Sequence, residues 1–366
     1  MTDTTDAQPA VSESSLLLFL DNLARRDGAN SEFVAALDTA REVLLSELDS
    51  SGPFLTVLMR TQGRRLEPFK DALLCLAAQS STDFEIILLA HGAEADDLVE
   101  LRHAVDNQVE SFRSRISIVE VEGGGRATPL NRGLSLARGR YVAVFDDDDV
   151  LFANWVEEFL IASEVGHGKL LRSIAATQNA APETWPQGEL GFRTSTWPNA
   201  AYAKSFDQLD HLDVNHSPFM SVAFPRYLFS SLGLTFDEQL DVCEDWDVIL
   251  QGSLTLGVHS IDALTCIYRR WEGGSSSYTS HSREQWMRSE KRVIDRLDNA
   301  PQLLPVGQIA RIRDRRVYIT NNNDEAARQL HEIHISKSFR LVQRIRHILA
   351  RPRQIVAGAK RRIKAL

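Results

Sequence analysis

Four consecutive aspartates, Asp146 to Asp149, follow directly on the apolar run Tyr141-Val142-Ala143-Val144-Phe145. An apolar, β-branched run of this length, bounded by polar residues, reads as a buried strand. The aspartates then fall at its carboxyl end, where open α/β sheets form their ligand crevice. Four carboxylates at this spacing repel one another, and a compact fold holds them most easily around a cation. Oxygen donors with no His or Cys alongside suit Mg²⁺ or Mn²⁺, either of which can hold a diphosphate at the same time. For four aspartates alone, the competing assignment is a solvated acidic turn.

The surrounding sequence supplies the sheet that this reading needs. Alternating patterns predict strands over 54–59, 84–90, 115–121 and 141–145, separated by helices over 67–78, 94–107 and 129–137. Such βα alternation implies a parallel, doubly wound sheet with right-handed crossovers. Further on, a helix is expected over 154–164, a strand over 170–177, and helices over 283–299 and 304–316. Residues 178–216, rich in Trp, Pro, Asn and Thr, read as a long irregular stretch of the kind that usually carries function. Ahead of the sheet, Ser14 or Ser15 caps a helix over 16–26, and Ser31 caps another with Val34, Leu37, Ala40, Leu44 and Leu48 along one face. Residues 1–13 are polar and expected to be disordered.

Several motifs flank the aspartates. Upstream lie Phe54 to Arg64, with Arg60-Thr61-Gln62-Gly63-Arg64 as a turn, and Phe84-Glu85-Ile86-Ile87-Leu88-Leu89 as a second strand. Asn131-Arg132-Gly133 and Ala137-Arg138-Gly139 lead into Tyr141. Downstream come Phe236-Asp237-Glu238 and Cys243-Glu244-Asp245-Trp246-Asp247. In this order, across residues 53 to 275, the blocks resemble family 2 glycosyltransferases. The resemblance implies a GT-A fold, with a Rossmann-like, mostly parallel sheet flanked by helices, and transfer of a sugar from a nucleotide-diphosphate donor to a saccharide or lipid-linked saccharide.

The resemblance also assigns roles. Asp146 and Asp148 match its D-x-D pair and Asp149 the following acid, so Asp148, Asp146 and Asp149 become metal ligands and Asp146 a ribose contact. Asp147 is expected on the opposite face. Asp245 matches the general base of an inverting enzyme, with Glu244 beside it and Asp247 in support. A carboxylate ahead of a helix is also a plain N-cap. Thr61, Arg64 and His91 border the donor crevice, although Ala90-His91-Gly92-Ala93 stand where the family carries an acidic pair that reads the base. Uridine, thymidine and guanosine donors therefore all remain open. Arg126, following Gly123-Gly124-Gly125, is placed to grip phosphate oxygens. His216, Trp246, Arg269 and Arg270 fall on the acceptor side, Trp185 and Trp197 are candidates to stack on a sugar, and Gly273 to Ser277 reads as a closing loop.

Hydrophobic content of 43% and charged content of 25% are those of a globular protein. Cys75, Cys243 and Cys266 form neither a disulfide framework nor a metal spacing, which fits a reducing cytoplasm. No run approaches the ~20 apolar residues of a membrane span, and the start has no basic, signal-like region. Residues 333–366 contain ten Lys or Arg and no acid, so with −9 overall the rest carries −19. An acidic body argues against nucleic acid as partner, while this basic, amphipathic tail suits an anionic membrane surface or a protein partner, including a homo-oligomer. The expected organisation is a helical extension (1–52), a catalytic domain (53–280, halves 53–150 and 151–280), a helical region (281–332) and the tail (333–366). Rival functions are a sugar-phosphate nucleotidyltransferase, whose G-x-G-x-R loop is missing after the first strand, and a non-catalytic glycan- or partner-binding protein.

Overall fold

The computed structural model describes residues 11–186, 190–272 and 280–335. Two helices open the chain, α1 Ser15–Ala24 and α2 Ser31–Leu48. Ser14 caps α1 as expected, but Asn30 rather than Ser31 caps α2, its Oδ1 accepting from the Glu32 and Phe33 N–H groups. Leu17, Leu44 and Leu48 are buried in the main core, and the Arg226–Glu47 ion pair closes at 3.0 Å. The helical extension is therefore part of the same compact unit as the sheet, which spans Met1–Val306.

The first half of that unit alternates as predicted, through β1 Leu55–Thr61, α3 Leu66–Ala77, β2 Phe84–His91, α4 Ala95–Asp106, α5 Glu110–Arg113, β3 Ile116–Val121, α6 Ala127–Leu134 and β4 Tyr141–Asp146. The second half runs through β5 Val150–Leu151, α7 Trp155–Val165, β6 Leu170–Thr184, β7 Leu190–Thr194, α8 Gln208–Asp213, β8 Val222–Pro225, α9 Tyr227–Ser230, α10 Glu244–Leu256, β9 Val258–Trp271 and α11 Arg283–Asp298. The nine strands form one sheet in the order β3-β2-β1-β4-β8-β6-β9-β5, with β7 paired to β6. The run β3-β2-β1-β4 is parallel, as is β6 with β9. β8 is antiparallel to both β4 and β6, and so joins the two halves. β1, β2 and β4 are buried on both faces, which is why they read as continuous apolar runs rather than alternating ones. A separate unit, Gly307–Leu366, contains α12 Gln308–Ile335, far longer than the 304–316 helix expected.

The stretch 178–216 differs from expectation. β6 continues to Thr184 and turns back into β7, and α8 follows, capped by the Asp207 side chain. Pro182 disguised the strand, because proline cannot donate to a ladder. It is tolerated here because β6 pairs with β9 only as far as Ala180, beyond which β7 is its remaining neighbour.

Two glycines set the spacing of helix and sheet. A Cβ on Gly133 in α6 would lie 2.8 Å from Leu58 and 3.1 Å from Leu89, so its absence lets α6 lie close on β1 and β2. At Gly139 the obstacle is main chain, with Thr56 N at 2.4 Å and Leu55 C at 2.8 Å. There the Gly139 N–H also donates to the buried Thr56 Oγ1, which itself donates to Glu85. Strand β1 cannot move without breaking this ladder. Gly139→Ala is expected to lower stability by about 1–3 kcal/mol, read as a shift in the urea midpoint at unchanged slope.

Candidate active site

The parallel register of β1 and β4 sets Arg60 beside Asp146 at the carboxyl ends of both strands. The Arg60 guanidinium donates to both Asp146 oxygens, at 3.0 and 2.9 Å, and to Glu244 Oε1 at 2.9 Å. It also donates to the Arg126 carbonyl at 3.0 Å, while Arg126 Nε donates to the same Glu244 oxygen at 2.8 Å. Burial alone would raise the Glu244 pKa, but Arg126 and Arg60 outweigh it and hold this carboxyl at about 2. Glu244 is thus a permanently ionised clamp that ties the start of α10 to β1 and to the loop before α6.

Asp245, one residue on, is in a different state. Its Oδ2 accepts from Asn215 Nδ2 at 2.8 Å and its Oδ1 from the Trp246 N–H at 2.8 Å. Burial and the neighbouring Glu244 charge push its pKa up to about 6. It thereby has the basicity of a proton acceptor near neutral pH, whereas Glu244 does not. Cys243 just before it is left-handed, with φ of 68°, the one non-glycine positive φ among the described residues. Such strain marks a backbone held by its surroundings, here at the turn that presents Glu244 and Asp245 from adjoining positions.

The remaining aspartates fan out behind Asp146. Asp147 accepts from Thr61 Oγ1 at 2.5 Å, and Arg65 lies 3.3 Å from Asp147 and 2.6 Å from Asp148. Asp149 accepts from the Arg269 backbone N–H at 2.8 Å. Burial, then the negative charge of Asp148, pushes Asp147 up to about 7. Burial also raises Asp148 and Asp149, with Asp146 adding to the effect on Asp148 and Asp148 to that on Asp149. Around the crevice stand six carboxyls, Asp146 to Asp149, Glu244 and Asp245, of which the guanidinium groups of Arg60, Arg65 and Arg126 pair with four, Asp146, Asp147, Asp148 and Glu244. Among the described residues no three His, Cys, Asp or Glu side chains are gathered in a metal-binding arrangement. The donor set nevertheless fits a hard divalent cation, because it is all oxygen and short of positive charge.

Two clefts open from this centre. One, of about 460 Å³, is lined by Thr61, Arg64, Arg65, His91, Gly124, Gly125, the aspartate run and Arg269. The other, of about 340 Å³, is lined by Tyr202, Asp213, Asn215, Phe219, Asp245, Trp246, Trp286 and Glu290. They share Arg60, Arg126, Asp146, Asp149 and Tyr268 as a common wall.

Residues 56–223 match the family described as Glycosyl transferase family 2. The chain carries a family 2 glycosyltransferase domain. An uncharacterized glycosyltransferase of Methanocaldococcus jannaschii is 21% identical over 118 residues, 31% of this chain and 38% of that protein, so well under half of that relative is spanned. S. aureus TarS 1-349, solved with UDP-GlcNAc, aligns at a TM-score of 0.46 and 17% identity over 62% of this chain and 61% of that one. The mannosyltransferase PcManGT of Pyrobaculum calidifontis, solved with GDP-Man and Mn²⁺, aligns at 0.46 and 13% identity over 79% and 76%.

Within the glycosyltransferase domain and its flanks, the structure brings together Thr61, Arg64, His91, Arg126, Asp146, Asp148, Asp149, Glu244, Asp245 and Trp246. His91 is tied to the glycine loop, its Nε2 2.8 Å from the Gly123 carbonyl. Arg269 lies on the larger cleft, not the smaller, with its guanidinium 4.6 Å from the Phe192 ring centre and its Nη2 3.2 Å from Asp71. Arg270 is exposed and lines neither cleft, because alternation along β9 sends it to the face opposite Arg269. His216 packs edge-on against His211 and also lines neither. Trp197 is 89% exposed, and Trp185 packs on Gly191. The expected closing loop 273–277 and tail residues 336–366 lie outside the described residues. No helix among the described residues is long and apolar enough to cross a membrane.

Arg60, Trp286 and Glu290 were not among the expected site residues. A charged residue ending an otherwise apolar strand was the available signal for Arg60. Trp286 and Glu290 stand one helical turn apart on α11, outside the family match, where spacing alone cannot say which surface a helix faces. Arg60→Met leaves Glu244 and Asp146 short of their shared partner and is expected to cost about 3–5 kcal/mol. Arg60→Met combined with Glu244→Gln should cost less than the sum of the two single variants by urea denaturation.

Proposed function

We propose that this chain is a metal-dependent, inverting glycosyltransferase that moves a sugar from a nucleotide-diphosphate donor to a saccharide hydroxyl, with Asp245 as general base. The observation that carries the reading is the meeting of two clefts along one charged wall, with Asp245 on the smaller side. The larger cleft holds the cations suited to phosphate, Arg64, Arg65 and Arg126, beside the aspartates. The smaller has an aromatic lining suited to sugar rings. A nucleotidyltransferase would not need a carboxyl of raised pKa opening on a second, aromatic cleft.

In the proposed step Asp245 takes the proton from the acceptor hydroxyl as its oxygen attacks the anomeric carbon. The bond from that carbon to the diphosphate oxygen breaks, and its electron pair leaves with the nucleoside diphosphate. Attack from the side opposite the leaving group inverts the centre. Asn215 holds the Asp245 carboxylate in place, and Arg126 faces the leaving phosphates. Asp146, Asp148 and Asp149 would hold Mg²⁺ or Mn²⁺, which when bound offsets the negative charge building on the diphosphate.

The base must be ionised, so kcat/KM is expected to rise with pH through about 6 and to fall about tenfold per pH unit below 5. Asp245→Asn should lower turnover about 10²–10⁴-fold while donor affinity by titration calorimetry stays within a few-fold. A folded Asp245→Asn protein with near-normal turnover would remove Asp245 from the chemistry. EDTA, or Asp148→Ala, should weaken binding of nucleoside diphosphates. Equal affinity with and without Mn²⁺ would refute the metal role.

A further inference from the structure

The smaller cleft has a composition that constrains its ligand. Its aromatic walls come from separated elements: Tyr202 from the segment before α8, Trp246 from α10, Tyr268 from β9 and Trp286 from α11. Trp246 is held rigidly, its Nε1 donating to the His211 carbonyl at 2.6 Å. Helix α11 is seated on α10 through Val293 and Leu297, packed with Leu250 and Leu254, and through an Arg296–Asp247 ion pair. It therefore presents Trp286 and Glu290 to the cleft from outside the family-matched segment.

The charges around this cleft are one-sided. Asp213 and Glu290 are exposed at its rim, and Asp149 and Asp245 lie deeper. Its two cationic lining residues, Arg60 and Arg126, stand on the wall shared with the larger cleft, Arg60 paired with Asp146 and Glu244 and Arg126 with Glu244. Among the described residues, a phosphate, sulfate or carboxylate on the incoming sugar would meet Asp213 and Glu290 at the rim and Asp245 behind them, with no guanidinium on that side of the cleft. A neutral ring meets aromatic faces for its C–H surface and rim carboxylates that accept from its hydroxyls.

Resting on the glycosyltransferase reading above, we propose that the acceptor is an uncharged saccharide, selected against anionic sugars by Asp213 and Glu290 and stacked on Trp286 of α11. The selection is partly repulsive, a carboxylate rim that rejects a competitor as well as aromatic walls that bind the partner.

The test uses the full-length chain, a panel of UDP-, GDP- and dTDP-sugars, and matched p-nitrophenyl hexosides and hexuronides of the gluco, galacto and manno series. Each matched pair differs only in a hydroxymethyl group against a carboxylate. The readout is release of nucleoside diphosphate above the rate without acceptor. At least one neutral glycoside should stimulate release, with kcat/KM at least 100-fold above its uronide. Asp213→Asn with Glu290→Gln should narrow that ratio at least tenfold, through a gain on the uronide. Trp286→Ala should raise KM for the neutral glycoside at least tenfold, and Trp286→Phe should restore most of it, which a loosened helix would not allow. A uronide used as well as its hexoside, or a ratio unmoved by the rim variants, overturns the proposal. Donor hydrolysis with no stimulation by any glycoside also overturns it while leaving the transferase reading standing. Failure of every donor to bind or hydrolyse would count against the transferase reading itself.

Discussion

The site depends on one buried guanidinium. Arg60 closes a charge network that joins two strands, the loop before α6 and the start of α10, holding Asp146 by two bonds and Glu244 by one. Neither carboxylate would be stable there by itself, since an unpaired ion out of water costs several kcal/mol. The network therefore does more than add attraction. It makes the approach of α10 to the sheet conditional on a charge match, and that approach carries Asp245 to the mouth of the crevice. Glu244 and Asp245 are adjacent in sequence and chemically alike. Their surroundings separate them into an ion-paired clamp with a pKa of about 2 and a carboxyl with one of about 6.

The aspartate run shows the opposite balance. Thr61, Arg65 and the Arg269 N–H each satisfy part of it, yet burial and mutual repulsion keep Asp147, Asp148 and Asp149 above their usual range. A fold keeps such electrostatic tension where function needs it. Arg65 is itself pinned over the Trp271 ring, its guanidinium carbon 5.1 Å from the ring centre, so the positive charge nearest the aspartates has a fixed place.

The smaller cleft is assembled from elements that have little else in common. Arg172, fully buried, is held by the Lys204 and His216 carbonyls and Ser217 Oγ. It thereby fixes the segment from which Asn215 reaches Asp245. Strain at Cys243, the docked helix α11 and the β6–β7 hairpin complete the surroundings.

Much of this was legible in the chain. The apolar runs, the aspartates after Phe145, the glycines at 133 and 139 and the Glu-Asp-Trp-Asp block are local patterns. Strand period, turn chemistry and close-packing glycines act over a few residues, so the parallel half of the sheet and the position of its crevice follow from them. The Asn30 cap, the hairpin hidden by Pro182 and the length of α12 were misjudged because each turns on competition between near-equivalent local choices. The partnerships of Arg60 with Glu244, 184 residues apart, and of Asn215 with Asp245 were not legible at all. Nor was the placing of Arg269 on the larger cleft, or of Trp286 and Glu290 on the smaller. Sequence alone determined which residues were equipped for chemistry. Only tertiary structure decided which of them meet, because pairing of buried charges is settled by sheet register and helix docking, and neither is encoded in any short stretch of chain.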